Sequence, residues 1–182
     1  NFGLKALAEG NQLRLSAINT GDIGYRIGPC INASGRLASA DLAMQLLLAA
    51  DETTAMELAS ELIRLNEERK EKTQLAVDAA VQLAEERVAL SDKVLVLLLK
   101  DCHESVAGIV AGKIKETYNR PTIILTYGKD CVKGSARSTE YYNIIENLRA
   151  CSELLSTQLS FPPILYCVVL QVHIRHHRPR AM

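Results

Sequence analysis

In the stretch Lys93-Val94-Leu95-Val96-Leu97-Leu98-Leu99 the apolar run from Val94 to Leu99 is too short for a helix and is bounded by charge on both sides. It reads as a buried strand. Val106 to Tyr118 then carries a helical pattern that Arg120-Pro121 closes. Thr122-Ile123-Ile124-Leu125-Thr126 is a second buried strand, and Tyr127-Gly128-Lys129-Asp130 is a turn. Val132 to Ser138 is a third strand with Gly134 inside it, and Tyr142 to Leu155 is a helix. Strand–helix–strand alternation of this kind predicts an α/β layer with at least partly parallel pairing.

Upstream, Thr53 to Val88 contains neither Gly nor Pro, and Ala55, Leu58, Leu62, Leu65, Arg69, Ala76, Ala80 and Leu83 recur at helical spacing. A helix of ~35 residues would be ~50 Å long. Its middle, Asn66-Glu67-Glu68-Arg69-Lys70-Glu71-Lys72, is nearly all polar, which predicts solvent on several sides and a connector between two globular bodies. A helical hairpin broken near Lys72 is the other reading. Asp51-Glu52 supplies acids suited to its start, and residues 38–50 form a short apolar helix before it. Gly3 to Leu7 reads as a helical turn. Gly21, Gly24, Gly28, Pro29 and Gly35 then crowd around the alternating Ile23, Tyr25 and Ile27. This predicts either unusual backbone angles and close approach to a ligand, or a plain strand-and-loop connection.

The 182 residues are 48% hydrophobic and 23% charged, which is globular in class, and with 4% aromatics and no Trp the core must be aliphatic. The apolar runs are far shorter than the ~18 residues a membrane span needs, so no membrane partner is expected. No charged n-region leads into an apolar h-region, so no signal peptide is expected, and a first residue of Asn1 reads as an internal piece of something longer. Five scattered cysteines without a CxxC pair argue against a disulfide framework and a zinc knuckle, and for a reducing, cytoplasmic setting. The net charge is zero, but unevenly spread. Residues 156–182 hold three Arg and no acid, leaving eighteen cations against twenty-one acids in residues 1–155. A basic field for nucleic acid is therefore absent, and any such contact must come from a few placed groups.

Three places could carry chemistry. In Gly134-Ser135-Ala136-Arg137-Ser138 a glycine lets backbone N–H groups approach an anion, two hydroxyls can donate, and Arg137 offers a planar fork for phosphate oxygens. Alternation puts Ser135 and Arg137 on one face; an edge strand with outward polar residues fits the pattern equally. In Ile31-Asn32-Ala33-Ser34-Gly35-Arg36, Asn and Arg are separated by small residues, as at a phosphate contact or a tight turn before a helix. His103-Glu104 stands at a strand end feeding a helix N-terminus, a setting that binds anions or merely needs a cap. His173, His176 and His177 stand among Arg and Pro with no acid, a poor metal set. No GxSxG, Walker loop or GxGxxG stands in a proper context, and no reaction can be assembled from these residues alone.

Taken in order, five segments resemble the RecJ family of single-stranded-DNA-specific exonucleases, within the DHH phosphoesterase superfamily. They are Ile27 to Leu37 (IGPCINASGRL), Leu65 to Lys70 (LNEERK) with Thr73, His103 to Ala111 (HESVAGIVA), Arg120-Pro121 with the strand after it, and Gly134 to Ser138 (GSARS). The resemblance covers roughly residues 1–155. It implies an α/β protein in which residues 1–50 end a DHH domain, 51–90 form a linking helix, and 91–155 form a DHHA1-type substrate-binding domain with a mixed sheet. Family members hold manganese or magnesium through DHH-domain motifs lying outside this chain. Their substrate lies between the two domains, and they hydrolyse single-stranded DNA stepwise from the 5′ end, in DNA repair and recombination.

By the same resemblance Arg36, Ser135 and Arg137 contact phosphate, Gly134 and Ser138 belong to that motif, Asn32 shapes its loop and His103 lines the cleft. A single-strand-binding protein or a helicase is implied as a further partner. Within the superfamily the alternative is a phosphoesterase on short oligonucleotides or cyclic dinucleotides. Outside it the alternatives are a non-catalytic single-strand-binding module and a helical scaffold. The chain departs from the family at Cys30, where Arg is usual, and at Ser105, where Gly is usual. It departs also after Leu155, where a Gly-Gly-His motif is expected and Ser156-Thr157-Gln158 stands. Residues 156–182 are accordingly read as a divergent or frame-shifted end. Reading the encoding DNA in its other frames tests this, and finding no Gly-Gly-His there counts against it.

Overall fold

The computed structural model describes residues 1–128, 132–150, 157–160 and 167–172. The chain divides into two compact units, Asn1–Glu71 and Lys72–Met182.

The first unit is helical. Helix α1 (Phe2–Gly10) starts at Asn1, whose side chain accepts from Leu4 N at 3.0 Å. Its Gly3 lies so close to the Leu46 carbonyl that no Cβ fits there. After a 3-10 turn, Asn19 and Asp22 close a reciprocal capping box (3.1 and 3.2 Å) that starts α2 (Thr20–Asp22). The chain runs on through a π-helical turn (Ile23–Ile27) into α3 (Gly28–Leu37). Helix α4 (Ala40–Leu48) is capped by Ser39, and α5 (Glu52–Ala89) by Asp51, which accepts from Thr54 N and Thr54 Oγ1, both at 2.8 Å. Leu7, Ile27, Cys30, Leu46, Ala55, Ala59 and Leu62 form the core of this unit.

Two expectations change here. The glycine-rich stretch 21–35 is helix, not strand and loop, and Asn32 to Arg36 lies within α3 rather than at a turn before a helix. The alternation of Ile23, Tyr25 and Ile27 was misleading, because Ile23 and Ile27 are also one helical turn apart. The period that decides is Ile27, Cys30 and Ala33, all buried, with Tyr25 86% exposed. No described glycine has a positive φ, so unusual backbone angles are not what these residues supply.

Helix α5 is 38 residues long, about 57 Å at the standard rise, and is unbroken at Lys72. Its middle is not wet on every side. Asn66 and Thr73 are 3% and 4% exposed. They continue one stripe that runs Ala55, Ala59, Leu62, Asn66, Thr73, Ala76, Ala80, Ala84 at steps of three, four or seven. The polar composition hid that stripe because two of its members are themselves polar.

The second unit is α/β. A five-stranded mixed sheet has the order β1 (Leu95–Leu98), β2 (Thr122–Tyr127), β3 (Val132–Arg137), β5 (Cys167–Val172), β4 (Thr157–Ser160). β1 and β2 are parallel, and the other pairs are antiparallel. The parallel pair needs a crossover, which α6 (Glu104–Tyr118) provides. Ala76, Ala80 and Ala84 of α5 and Val106, Val110 and Ile114 of α6 pack with Leu95, Leu97 and Ile124 on one face of the sheet. Ile144 of α7 (Ile144–Ala150) packs with Ile123 and Ala136 on the other.

The strands depart from expectation in three ways. β1 is buried on one face only, with Val96 and Leu98 exposed. The strand carrying Ser135 and Arg137 is not an edge, since β2 and β5 flank it. The strand expected within Phe161–Leu170 begins at Cys167 and lies inside the sheet, because β4 pairs outside it. The basic tail 174–180, the three tail histidines, and the parts of the expected turn and of the expected helix that fall on residues 129–131 and 151–155 lie outside the described residues. Among the described residues no helix is long and apolar enough to cross a membrane.

Candidate nucleic-acid interface

In the second unit, cross-strand register decides which side chains meet. Ser135 stands opposite Ile124, and Arg137 opposite Thr122. Directly opposed residues point to the same side of a sheet, so both face α6. There the helix carries Gly108. A Cβ on Gly108 would lie 2.8 Å from Arg137 Nη2, 3.4 Å from Ser135 Oγ and 3.6 Å from Arg137 Cζ. The missing side chain is thus what admits the guanidinium between helix and sheet. Arg137 is further held by its own strand, donating from Nη1 to the Ala136 carbonyl at 2.9 Å. One step along the same face, Lys133 Nζ pairs with Glu104 Oε2 at 2.6 Å and ties β3 to the first turn of α6.

Gly134 and Ser138 lie on the opposite face with Ala136. Ser138 Oγ accepts from Ile144 N at 3.1 Å, so this hydroxyl serves the start of α7. His103 is the N-cap of α6. Its Nδ1 meets Ser105 Oγ at 2.7 Å and accepts from Ser105 N at 3.3 Å. The ring thereby satisfies one of the free N–H groups of the helix end.

In the first unit Asn32 and Arg36 are exposed and one turn apart on α3, hence on one side of that helix. On α5, Arg69 donates through Nε (3.2 Å) and Nη2 (2.9 Å) to Oδ1 of the buried Asn66. Burial, and then the charge of Arg36, hold the Arg69 guanidinium below its ordinary proton affinity. The motif residues thus fall into groups: Ser135 with Arg137 under Gly108, His103 at the cap of the same helix, Gly134 and Ser138 on the far face, and Asn32 with Arg36 in the other unit. Gly108, Asn66 and Arg69 had no assigned role from sequence. A glycine inside an otherwise apolar helical run was the available signal for the first, and an Asn three residues before an Arg for the other two.

Nucleophilic and metal chemistry find little support among these side chains. Burial raises the Cys30 thiol, and pushes that of Cys102 up to about 11, so neither is a thiolate at neutral pH. Among the described residues no group of three or more His, Cys, Asp and Glu could hold a metal ion. A metal centre does not fit the described residues.

No family model matches the chain. Curated relatives do. The single-stranded-DNA-specific exonuclease RecJ of Bacillus subtilis is 34% identical over 156 residues, which is 85% of this chain and 20% of the relative. That of Haemophilus influenzae is 37% identical over 76% of this chain and 25% of the relative. Thermus thermophilus RecJ is 35% identical over 84% and 21%. Among solved structures, Thermus thermophilus RecJ in complex with Mg2+ superposes with a TM-score of 0.79 at 30% identity, over 94% of this chain and 26% of that one. An exonuclease RecJ bound to manganese gives 0.78 at 31%, over 94% and 41%. The chain spans between a fifth and a quarter of the length of these curated relatives. The agreement in sequence over both units, and in fold over nearly the whole chain, assigns this polypeptide to the RecJ family of single-stranded-DNA-specific exonucleases.

Proposed function

We propose that this chain forms part of a metal-dependent exonuclease that hydrolyses single-stranded DNA from 5′ to 3′ in DNA repair and recombination, and that its own share is to grip the DNA backbone. The observation that carries this is the placement of Ser135 and Arg137 against Gly108. A planar guanidinium and a hydroxyl on one strand face, with a helix backbone brought close, match the oxygens of a phosphodiester. Such contacts position a strand without reading its bases, as a sequence-indifferent exonuclease requires. Arg36 and Asn32 offer a second contact on α3, His103 fixes the start of α6, and Gly134 and Ser138 shape β3 and the start of α7 behind the pair.

In this reading residues 1–50 close a DHH domain, 51–90 link it onward, 91–155 are DHHA1-type, and 156–182 are a divergent end. Manganese or magnesium would be held by residues beyond this chain, and would supply the activated water and neutralise phosphate charge. A cytoplasmic setting and a single-strand-binding protein or helicase as partner come with the same reading. A nuclease assay with manganese tests it. The 182 residues alone should leave a single-stranded substrate intact, and restoring the upstream stretch should give cleavage. In that longer protein Arg137→Ala should raise KM about tenfold or more, the worth of one hydrogen bond to a charged group. Cleavage by the chain alone would sink the division of labour, and an unchanged KM would sink the role of Arg137.

A further inference from the structure

On the face of the sheet away from α6, α7 packs against β2 and β3. A half-open cavity of about 150 Å³ remains there, lined by Val94, Ile123, Tyr142, Ile144, Asn147 and Leu148. An apolar cavity of ~150 Å³ takes a molecule the size of benzene. None of the six lining residues is charged, so nothing in the lining would compensate a phosphate or a carboxylate for its lost water. One wall is aromatic. Asn147 supplies an amide, which is held by donating from Nδ2 to the Asn143 carbonyl at 2.8 Å. A flat ring with apolar faces and polar edges matches this lining, its faces against Tyr142 and the aliphatic residues and an edge for the amide.

Register fixes where the cavity stands. Ile123 pairs with Ala136, and the preceding Thr122 pairs with Arg137. Successive residues of a strand point to opposite faces. Ile123 and Ala136 therefore face the cavity, whereas Thr122 and Arg137 face α6. The cavity and the guanidinium occupy the two faces of one end of the sheet. A strand whose phosphate lies at Arg137 brings a base to the cavity by turning around that end.

We propose that this cavity receives one nucleobase of single-stranded DNA, with the Tyr142 ring as the surface on which it stacks. The inference rests on the reading that Arg137 grips the DNA backbone, and adds to it a contact that requires a base. Every base has a π-face, so such stacking tolerates any sequence. It nevertheless separates a nucleic acid from a bare polyanion.

The test is a fluorescence-anisotropy titration of the 182-residue chain, across a range of salt, with two labelled ligands of equal length. One is oligo-dT, and the other is the same sugar–phosphate chain without bases. The parent should bind oligo-dT about tenfold more tightly, the worth of one stacked base. Tyr142→Leu keeps an apolar side chain but loses the ring. It should lower the affinity for oligo-dT to that for the abasic strand and leave the abasic affinity unchanged. The salt dependence should also stay as it is, because no phosphate contact is lost. Tyr142→Phe keeps the ring and should recover the tenfold preference. A merely structural role for Tyr142 would weaken both ligands equally, and that result overturns the proposal.

If the parent binds the two ligands equally while Arg137→Ala weakens both, this inference falls and the DNA-gripping reading stands. If the parent binds neither ligand, both fall. If Tyr142→Leu fails to fold, Leu148→Phe, which takes up space in the cavity, decides, and a tenfold preference retained there overturns the proposal.

Discussion

The two units present their cations in different ways. In the first, Arg36 and Arg69 stand on helices, and a buried Asn holds one of them. In the second, Arg137 stands on a strand flanked on both sides, and a glycine on the facing helix makes room for it. Glycine also serves differently. Gly3 brings α1 against the backbone of α4, where nothing can yield, whereas Gly108 brings α6 against the movable end of one arginine. The lesson is that a missing Cβ can be structural in one place and chemical in another, and that the neighbour it would strike tells the two apart.

Substituting each glycine by alanine turns that contrast into an experiment. Gly3→Ala must push the Leu46 carbonyl away, and a strained, overpacked site costs roughly 1–3 kcal/mol. Chemical unfolding followed by circular dichroism should register this as the largest stability loss of the set. Gly108→Ala should leave the unfolding midpoint nearly unchanged, because the guanidinium can swing aside, yet weaken oligo-dT binding about tenfold. Equal stability losses at the two positions would break the distinction. Ser138→Ala removes the hydroxyl that accepts from Ile144 N, and should cost about 1 kcal/mol, as other lost caps do, with oligo-dT binding unmoved. A binding defect there would return Ser138 to the DNA face.

The smallest effect is a pH dependence confined to the first unit. Hydrogen bonds from the Thr54 backbone and then its hydroxyl hold the Asp51 carboxyl below the ordinary carboxylate range. A folded-state value below the unfolded one stabilises above the unfolded value of about 3.9, and that contribution is lost as pH falls through the folded one. The difference in unfolding midpoint between the parent and Asp51→Ala should therefore be present at neutral pH and shrink in acid. A difference that grows on acidification would contradict the assignment.

The same contrast explains what could be read without coordinates. In the second unit Ile123-Ile124-Leu125 gave a strong strand signal because β2 is covered on both faces and so is filled with aliphatic residues, whereas the run around Leu97 is just as aliphatic although one of its faces is exposed. The pairing of Ser135 with Arg137 on one face followed from a period of two. Their meeting with Gly108 did not, since register across β2 and β3 and the approach of α6 are tertiary facts. In the first unit Gly21 to Gly35 read as strand and loop because glycine and alternation outvoted helical spacing in so short a window. The capping box at Asn19 and Asp22 was the local signal for a helix there. The buried stripe through Asn66 and Thr73 was invisible to a hydrophobic count, because its middle members are polar. Arg36 was singled out by the motif it belongs to, whereas the hydrogen bonds of Arg69 to the buried Asn66 became visible only in the structure.

In the proposed function the side chain of Arg137, given room by Gly108, grips the backbone of single-stranded DNA. The most direct measurement is the affinity of the parent chain and of Arg137→Ala for labelled oligo-dT as a function of salt. The account predicts binding about tenfold weaker for Arg137→Ala, with the log K against log salt line less steep by about 0.7. Equal affinity and equal steepness for the two proteins would contradict it.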